Sequence, residues 1–348
     1  MLRVKVVAEN ICVLSSKSLS NADLLSRNRG LADGLIIGYN RSNRLEHQLL
    51  RTILSPKDLA TAIGVSESSL KRWADEGRLK VSRTAGGHRR IPMEEAIRFI
   101  RTTGQPVVRP DVLGLSELAD VPRPSTDTPA EGIDAERSAQ LVAALKAGDL
   151  PLGRGLILSW YLQGVSLGEL FDGPVRTAMT ELGMLWKHAD EGIFVEHRST
   201  DICIQALNQL RGLIGPPPPT APLAMGGAPS GDPYIIPSLM ASMVLLEAGF
   251  RTTNIGPDIP LKVLADAAIS ARANLVWVSF TSISRRRDLI DHASELAGQL
   301  AQADAELVVG GQQIDASVRI DQPNVHVARS MGELAALARG LSRSAGEA

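Results

Sequence analysis

Ser68, Ser69, Lys71, Arg72, Arg83, His88, Arg89 and Arg90 could together hold a polyanion. Hydroxyls and long cationic side chains are the groups that donate to phosphate oxygens. The charge distribution points the same way. The formal net charge is −1 over 348 residues, yet residues 41–110 hold 14 Lys and Arg against 7 Asp and Glu, while residues 111–348 hold 18 against 28. A small basic block beside a larger acidic body implies that one part meets a polyanion and the other does not. A second set, Asp232, Tyr234, Ser279 and Gly310-Gly311, is spread along the chain and needs a fold to bring it together.

The elements that must position the basic set are legible. Ser55-Pro56-Lys57-Asp58 is a helix start: Ser55 caps, Pro56 suits the first helical position and Asp58 completes a capping box. Leu59 and Ile63 form its apolar stripe, and Gly64 ends it. Ser66 caps a second helix with Leu70 and Trp73 inward and Gly77 as its stop. Ser68, Ser69, Lys71 and Arg72 then lie away from the inward face, as a helix inserted into a major groove requires. Gly86-Gly87 predicts a hairpin turn that gathers Arg83, His88, Arg89 and Arg90 at its tip. Pro92-Met-Glu-Glu starts a third helix with acidic residues in its first turn. This stretch resembles the winged helix-turn-helix domain of the MerR family, with Arg83-Thr-Ala-Gly-Gly-His-Arg-Arg90 as the specific part.

The remaining text divides by composition. Residues 1–40 read as a poorly ordered extension and 41–104 as the DNA-binding domain. Residues 105–132, rich in Pro, Asp, Ser and Thr, read as a flexible linker. Residues 133–214 carry helical periodicity, with breaks at Gly148-Asp149, at Gly164 and around Asp190-Glu191-Gly192, which makes about four helices. Residues 220–345 alternate short apolar runs with helical ones. Strands are expected near Pro222–Gly227, Thr252–Ile255, Leu275–Phe280, Leu307–Val309 and Val325–Val327, which argues for a parallel doubly wound sheet. The fold class is thus multidomain: an α+β winged helix-turn-helix, an all-α four-helix cap and an α/β doubly wound sheet.

Two further patterns extend the resemblance to most of the chain. Trp186, nine residues and then Glu196-His197 resembles the cap of the light-responsive, adenosylcobalamin-dependent CarH/LitR-like branch of MerR-type repressors. That resemblance implies Trp186 over the upper corrin face and Glu196 and His197 as cofactor contacts. Lys187 stands where some members carry a His. The C-terminal segment resembles a cobalamin-binding Rossmannoid domain, whose motif is Asp-x-His-x-x-Gly, then Ser-x-Leu and Gly-Gly. Here the motif is Asp232-x-Tyr234-x-x-Pro237, Ser279-x-Thr281 and Gly310-Gly311. The His that would supply the lower cobalt ligand is absent, and a phenol, with a pKa near 10, donates poorly to alkylated cobalt. Three readings stand side by side: cobalamin without a protein ligand, another tetrapyrrole such as haem with Tyr234 on the iron, or no cofactor at all.

The resemblance implies a sequence-specific DNA-binding transcriptional regulator, a repressor, whose light and adenosylcobalamin control is weakened or lost. The alternatives are a cofactor-free regulator switched by a protein partner and a haem-type sensor. A corrinoid carrier subunit of a methyltransferase is a further one, but it has no use for a basic hairpin. No catalytic role is expected. Partners are an operator duplex and further copies of the chain. Only Cys12 and Cys203 are present, which makes no disulfide framework, and Cys203 sits at core spacing. No apolar run reaches membrane-spanning length, so a cytoplasmic location is expected.

Overall fold

Local capping chemistry opens the described part of the chain. The computed structural model describes residues 53–122, 133–185, 190–282 and 286–347. Strand β1 (Ile53–Leu54) leads to α1 (Pro56–Ile63), where Ser55 and Asp58 form the expected capping box and Gly64 closes the helix at φ 72°. Ser66 caps α2 (Glu67–Asp75) by accepting from the Ser69 N–H. Strands β2 (Ser82–Arg83) and β3 (Arg89–Pro92) form the hairpin, and α3 (Met93–Thr103) follows. The three strands pair antiparallel in the order β1-β3-β2. Leu54, Leu59, Ile63, Leu70, Leu79, Ile91, Ile97 and Phe99 bury almost completely between them, and the Trp73 ring packs on Phe99 at 5.2 Å.

Residues 105–122 correct the flexible-linker expectation. They carry α4 (Pro110–Leu113) and a 3-10 turn (Ser116–Asp120). Leu113 and Leu115 are fully buried. Glu117 pairs with Arg154 at 3.8 Å and accepts a short hydrogen bond from Gln209. Two apolar side chains and one anchored carboxylate outweigh the polar composition around them. Residues 1–40 and 123–132 lie outside the described residues.

The helical middle comprises α5 (Ile133–Ala147), α6 (Leu150–Leu162), α7 (Leu167–Leu170), α8 (Arg176–Leu185) and α9 (Asp190–Arg211). Gly148 (φ 74°) and Gly164 (φ 97°) make the expected breaks. Near the break expected around Asp190-Glu191-Gly192, α8 is described to Leu185 and α9 from Asp190, and α9 runs through Gly192. Between α7 and α8 a π turn (Phe171–Val175) contains Pro174. There Asp172 accepts from the Met331 and Gly332 N–H groups at 2.8 and 2.9 Å. Cys203 is fully buried, and burial pushes its thiol up to about 12, as befits a core residue.

The C-terminal part alternates β4 (Leu223–Pro229), α10 (Ile236–Glu247), β5 (Arg251–Ile259), α11 (Leu261–Ser270), β6 (Leu275–Ser279), α12 (Arg286–Ala301), β7 (Glu306–Gly310), β8 (Val325–Val327) and α13 (Met331–Glu347). All five strands are parallel, in the order β5-β4-β6-β7-β8. Alternating side chains bury on both faces. Leu275, Trp277 and Val308 join Leu239, Met243 and Leu334 in one core. Val276, Val278, Leu307 and Val309 join Leu264, Ala268, Leu289 and Leu296 in the other. β5 runs past Gly256-Pro257, where the sequence suggests a stop. It is an edge strand, so Pro257 can lack an N–H, and register shifts against β4 absorb the irregularity.

Candidate functional site: a basic helix-turn-helix face and a sealed crevice

Helix α2 turns Leu70 into the core and leaves Ser68, Lys71 and Arg72 exposed. Ser69 is half-buried, and its hydroxyl lies 3.0 Å from Ser66 Oγ. Lys71 and Arg72 make only exposed pairs along the helix, with Glu67 at 3.9 Å and Glu76 at 3.8 Å. Such pairs contribute well under 1 kcal/mol and open readily for a phosphate.

The hairpin presents Arg83 and His88 exposed, with Arg90 half-buried. Its turn is closed by the Gly87 N–H donating to the Thr84 carbonyl, and Gly87 sits at φ 78°. Arg89 differs from its neighbours. Its Nη2 donates to Asp75 Oδ1 at 2.6 Å, and its side chain is 18% exposed. Asp75 is the last residue of α2, so Arg89 ties the hairpin to that helix rather than projecting freely. Behind both, Glu95 accepts from the Lys80 N–H at 2.6 Å and pairs with Arg98 at 2.5 Å. Burial alone would raise the Glu95 carboxyl, but the Arg98 and Lys80 hydrogen bonds outweigh it and hold the carboxyl below its ordinary value.

The second set converges at the carboxyl ends of the parallel strands. From β4 the chain moves to one side into β5, then crosses to β6 on the other, which puts a topological switch between β4 and β6. Ligands of open α/β sheets bind in the crevice outside such a switch. Asp232 lies there, fully buried. One of its oxygens accepts from the Tyr234 N–H at 3.2 Å, and the other from the Thr281 and Ser282 N–H groups at 2.5 and 2.9 Å. The carboxylate therefore staples the loop after β4 to the loop after β6. Tyr234 itself is 49% exposed. Thr281 Oγ1 is buried without a hydrogen-bond partner.

Ser279 closes β6 and is buried. Gly310 and Gly311 are needed by the chain's own backbone. A Cβ on Gly311, at φ 110°, would stand 2.3 Å from the Phe280 carbonyl oxygen, and one on Gly310 would stand 2.9 Å from that of Ala328. Asp232, Ser279, Gly310 and Gly311 are thus brought together. Glu196 and His197 lie on α9, bound to their own helix. Thr200 donates to Glu196 at 3.1 Å, and His197 Nδ1 is 2.9 Å from the Ile193 carbonyl. Trp186 and Lys187 lie outside the described residues. The latch made by the Thr281 and Ser282 amides on Asp232 has no sequence signal beyond the Asp itself.

Residues 53–103 match a family model described as a helix-turn-helix domain. The chain is 26% identical over 261 residues to the HTH-type transcriptional repressor CarA of Myxococcus xanthus, spanning 73% of this chain and 85% of that one. It is 25% identical over 152 residues to dimethylamine corrinoid protein 1 of Methanosarcina acetivorans, spanning 41% and 68%. Among solved structures, the monomethylamine corrinoid protein of Methanosarcina barkeri superposes with a TM-score of 0.47 at 16% identity, over 60% of this chain and 99% of that one. The chain carries a helix-turn-helix domain and is similar over most of its length to a transcriptional repressor.

Proposed function

We propose that the protein is a sequence-specific DNA-binding transcriptional regulator, a repressor of MerR type, that works as a homo-oligomer on an operator duplex. One observation carries the reading. Helix α2 buries Leu70 and offers Ser68, Lys71 and Arg72 to solvent, beside a hairpin that offers Arg83, His88 and Arg90. In this reading α2 enters the major groove, the hairpin acts as a wing on the flanking phosphates, and the helices from α5 to α9 form a cap over the sheet. The similarity to CarA over most of the chain supports repression. The absence of catalysis and a cytoplasmic location belong to the same reading. Among the described residues no helix is long and apolar enough to cross a membrane.

The crevice residues do not suit cobalt coordination. Asp232 would have to orient a ligand, but it already accepts three backbone N–H groups, which leaves it a single acceptor site, on Oδ1. The side chain at the ligand position is a half-exposed phenol. The sensor domain in this reading has a degenerate cobalt-ligand motif, and its light control through adenosylcobalamin is weakened or lost. Its switch is then a protein partner or a different ligand.

The test has two arms. Fluorescence anisotropy with a labelled duplex at increasing salt is expected to show a log–log slope of about −0.9 for each phosphate neutralised; no binding at low salt would sink the DNA reading. Incubation with adenosylcobalamin or with haemin, followed by gel filtration, is expected to leave no corrin or Soret band on the protein. A retained corrin band would return cobalamin to the site, and a Soret band would favour haem.

A further inference from the structure

Arg101, Tyr161 and Glu247 come from three separate parts of the chain and meet at one point. Arg101 lies in the last turn of α3, in the helix-turn-helix domain. Its guanidinium carbon sits 3.5 Å from the centre of the Tyr161 ring, near the end of α6. Its Nη1 donates to the Tyr161 carbonyl at 2.5 Å and to the Val165 carbonyl at 3.3 Å. Its Nη2 lies 3.6 Å from Glu247 Oε1 at the end of α10, and the Tyr161 hydroxyl donates to the same oxygen at 3.3 Å.

The arrangement is stronger than a surface ion pair. The Arg101 side chain is 17% exposed. It stacks on an aromatic face, which guanidinium suits better than ammonium. It also meets two carbonyls at a helix C-terminus, where the helix dipole favours a cation. Burial raises the Glu247 carboxyl, and Arg101 acts to lower it again. Removing Arg101 would leave Glu247 with only the Tyr161 hydroxyl, and the Tyr161 and Val165 carbonyls without the guanidinium that joins them. The helix-turn-helix domain also meets the helical middle through residues 105–122, where the Val108 and Arg109 N–H groups donate to the Ala62 carbonyl and Glu117 pairs with Arg154. A groove of about 370 Å³ runs beside Arg101, lined by Ile97, Arg98, Ile214, Pro217 and Leu246 among others.

Helix α10 gives the junction a second significance. It begins at Ile236, two residues after Tyr234 in the crevice loop, and ends on Glu247. A helix of 12 residues is a rod about 18 Å long. One rigid element therefore joins the crevice to the seat of Arg101.

We infer that Arg101 is the positioning residue of the DNA-binding domain: seated on Tyr161 and Glu247, it fixes the orientation in which α2 is offered to DNA and so determines which spacing of half-sites the oligomer accepts. The inference rests on the DNA-binding reading above. Arg101 touches no DNA in this account, so it sets spacing and leaves half-site sequence alone.

The test uses the full chain, with duplexes selected from a random pool and with amide hydrogen exchange. The wild-type chain is expected to select two half-sites at one spacing. Arg101→Ala is expected to select the same half-site with scattered spacing. Its amides between Tyr161 and Val165 should exchange at least tenfold faster, while those of α1 keep their protection. Glu247→Gln should lie between the two, and Tyr161→Phe closest to wild type. Unchanged spacing and unchanged exchange in Arg101→Ala would overturn the inference. If Arg101→Ala does not fold, Glu247→Gln decides by the same two readouts. If no chain selects any DNA, the DNA reading fails and the exchange data alone judge the junction.

Discussion

The helix-turn-helix face and the sheet crevice both hold polar groups where a ligand is expected, and they treat those groups in opposite ways. On α2, Lys71 and Arg72 are exposed and held only by weak pairs along their own helix. In the crevice, Asp232 is fully buried and accepts three backbone N–H groups, two on Oδ2 and one on Oδ1. An exposed cation keeps its capacity for an outside partner. A buried carboxylate with three of its four acceptor sites taken by its own chain serves the scaffold first, with one site on Oδ1 left over. The difference predicts that substitutions in the crevice change stability, whereas substitutions on α2 change binding.

The largest effect should come from Asp232→Ala. It leaves the Tyr234, Thr281 and Ser282 N–H groups without their acceptor at a part-buried site, and an unsatisfied group costs about 1–3 kcal/mol where it is buried. A loss of about 4 kcal/mol in urea unfolding is expected, with duplex affinity unchanged at temperatures where the protein stays folded. A loss under about 1 kcal/mol would mean that water replaces the carboxylate and that the crevice is not sealed.

Next comes Glu95→Gln, beneath the basic face. The Glu95 carboxyl lies below its ordinary value, so its charged form favours the folded state. That contribution is present above the unfolded carboxylate pKa, about 4.3, and is lost as the pH falls through the folded value. Wild type should exceed Glu95→Gln by about 2 kcal/mol at pH 7, as for hydrogen bonds to charged groups. The two should converge in acid. Thermal unfolding between pH 3 and pH 7 checks this, and a constant gap across that range would contradict it.

Smaller again is Lys71→Ala. Stability should stay within about 0.5 kcal/mol, because the pair with Glu67 is exposed. The salt slope of duplex binding should become shallower by about 0.9. An unchanged slope would remove Lys71 from the phosphate contacts. Arg89→Ala offers the contrast: its ion pair with Asp75 orients the hairpin, so it should weaken binding by more than one phosphate contact.

These contrasts also mark what the sequence could disclose. Caps and turns are local chemistry, so Ser55 with Asp58, Ser66, Gly64 and Gly87 could be read from neighbours alone. The strands were legible because both sheet faces are buried and leave short apolar runs. Composition misled at 105–122, where Leu113 and Leu115 decide the packing against a polar background. The crevice motif named the right neighbourhood: Asp232, Ser279 and Gly310-Gly311 do meet. What Asp232 holds was not legible, because two of its three partners are backbone N–H groups about 50 residues away, and any residue type except proline supplies those. The Arg101 junction was hidden for a related reason. A guanidinium over a ring and two carbonyls leaves no spacing signature when its parts are 60 and 86 residues apart.

Tyr234→His is the mildest substitution and the one that presses hardest on the contrast. Tyr234 is 49% exposed and its backbone N–H, not its ring, is held by Asp232. Stability should therefore change by no more than about 0.5 kcal/mol. The substitution restores the residue type that ligates cobalt in the family the motif resembles, so a gain of corrinoid retention is the natural hope. The structure argues against it. A metal-bound imidazole needs an acceptor to fix its tautomer and orientation, and Asp232, which holds the Tyr234, Thr281 and Ser282 amides, has only one acceptor site left for it, beside the Tyr234 amide on Oδ1. Pro237 and Thr281 also remain at the positions where that motif has Gly and Leu. Tyr234→His is expected to elute without a corrin band after incubation with adenosylcobalamin. A retained band would show that Asp232 can exchange its amides for an imidazole, and the crevice would then be a closed ligand site rather than a part of the scaffold.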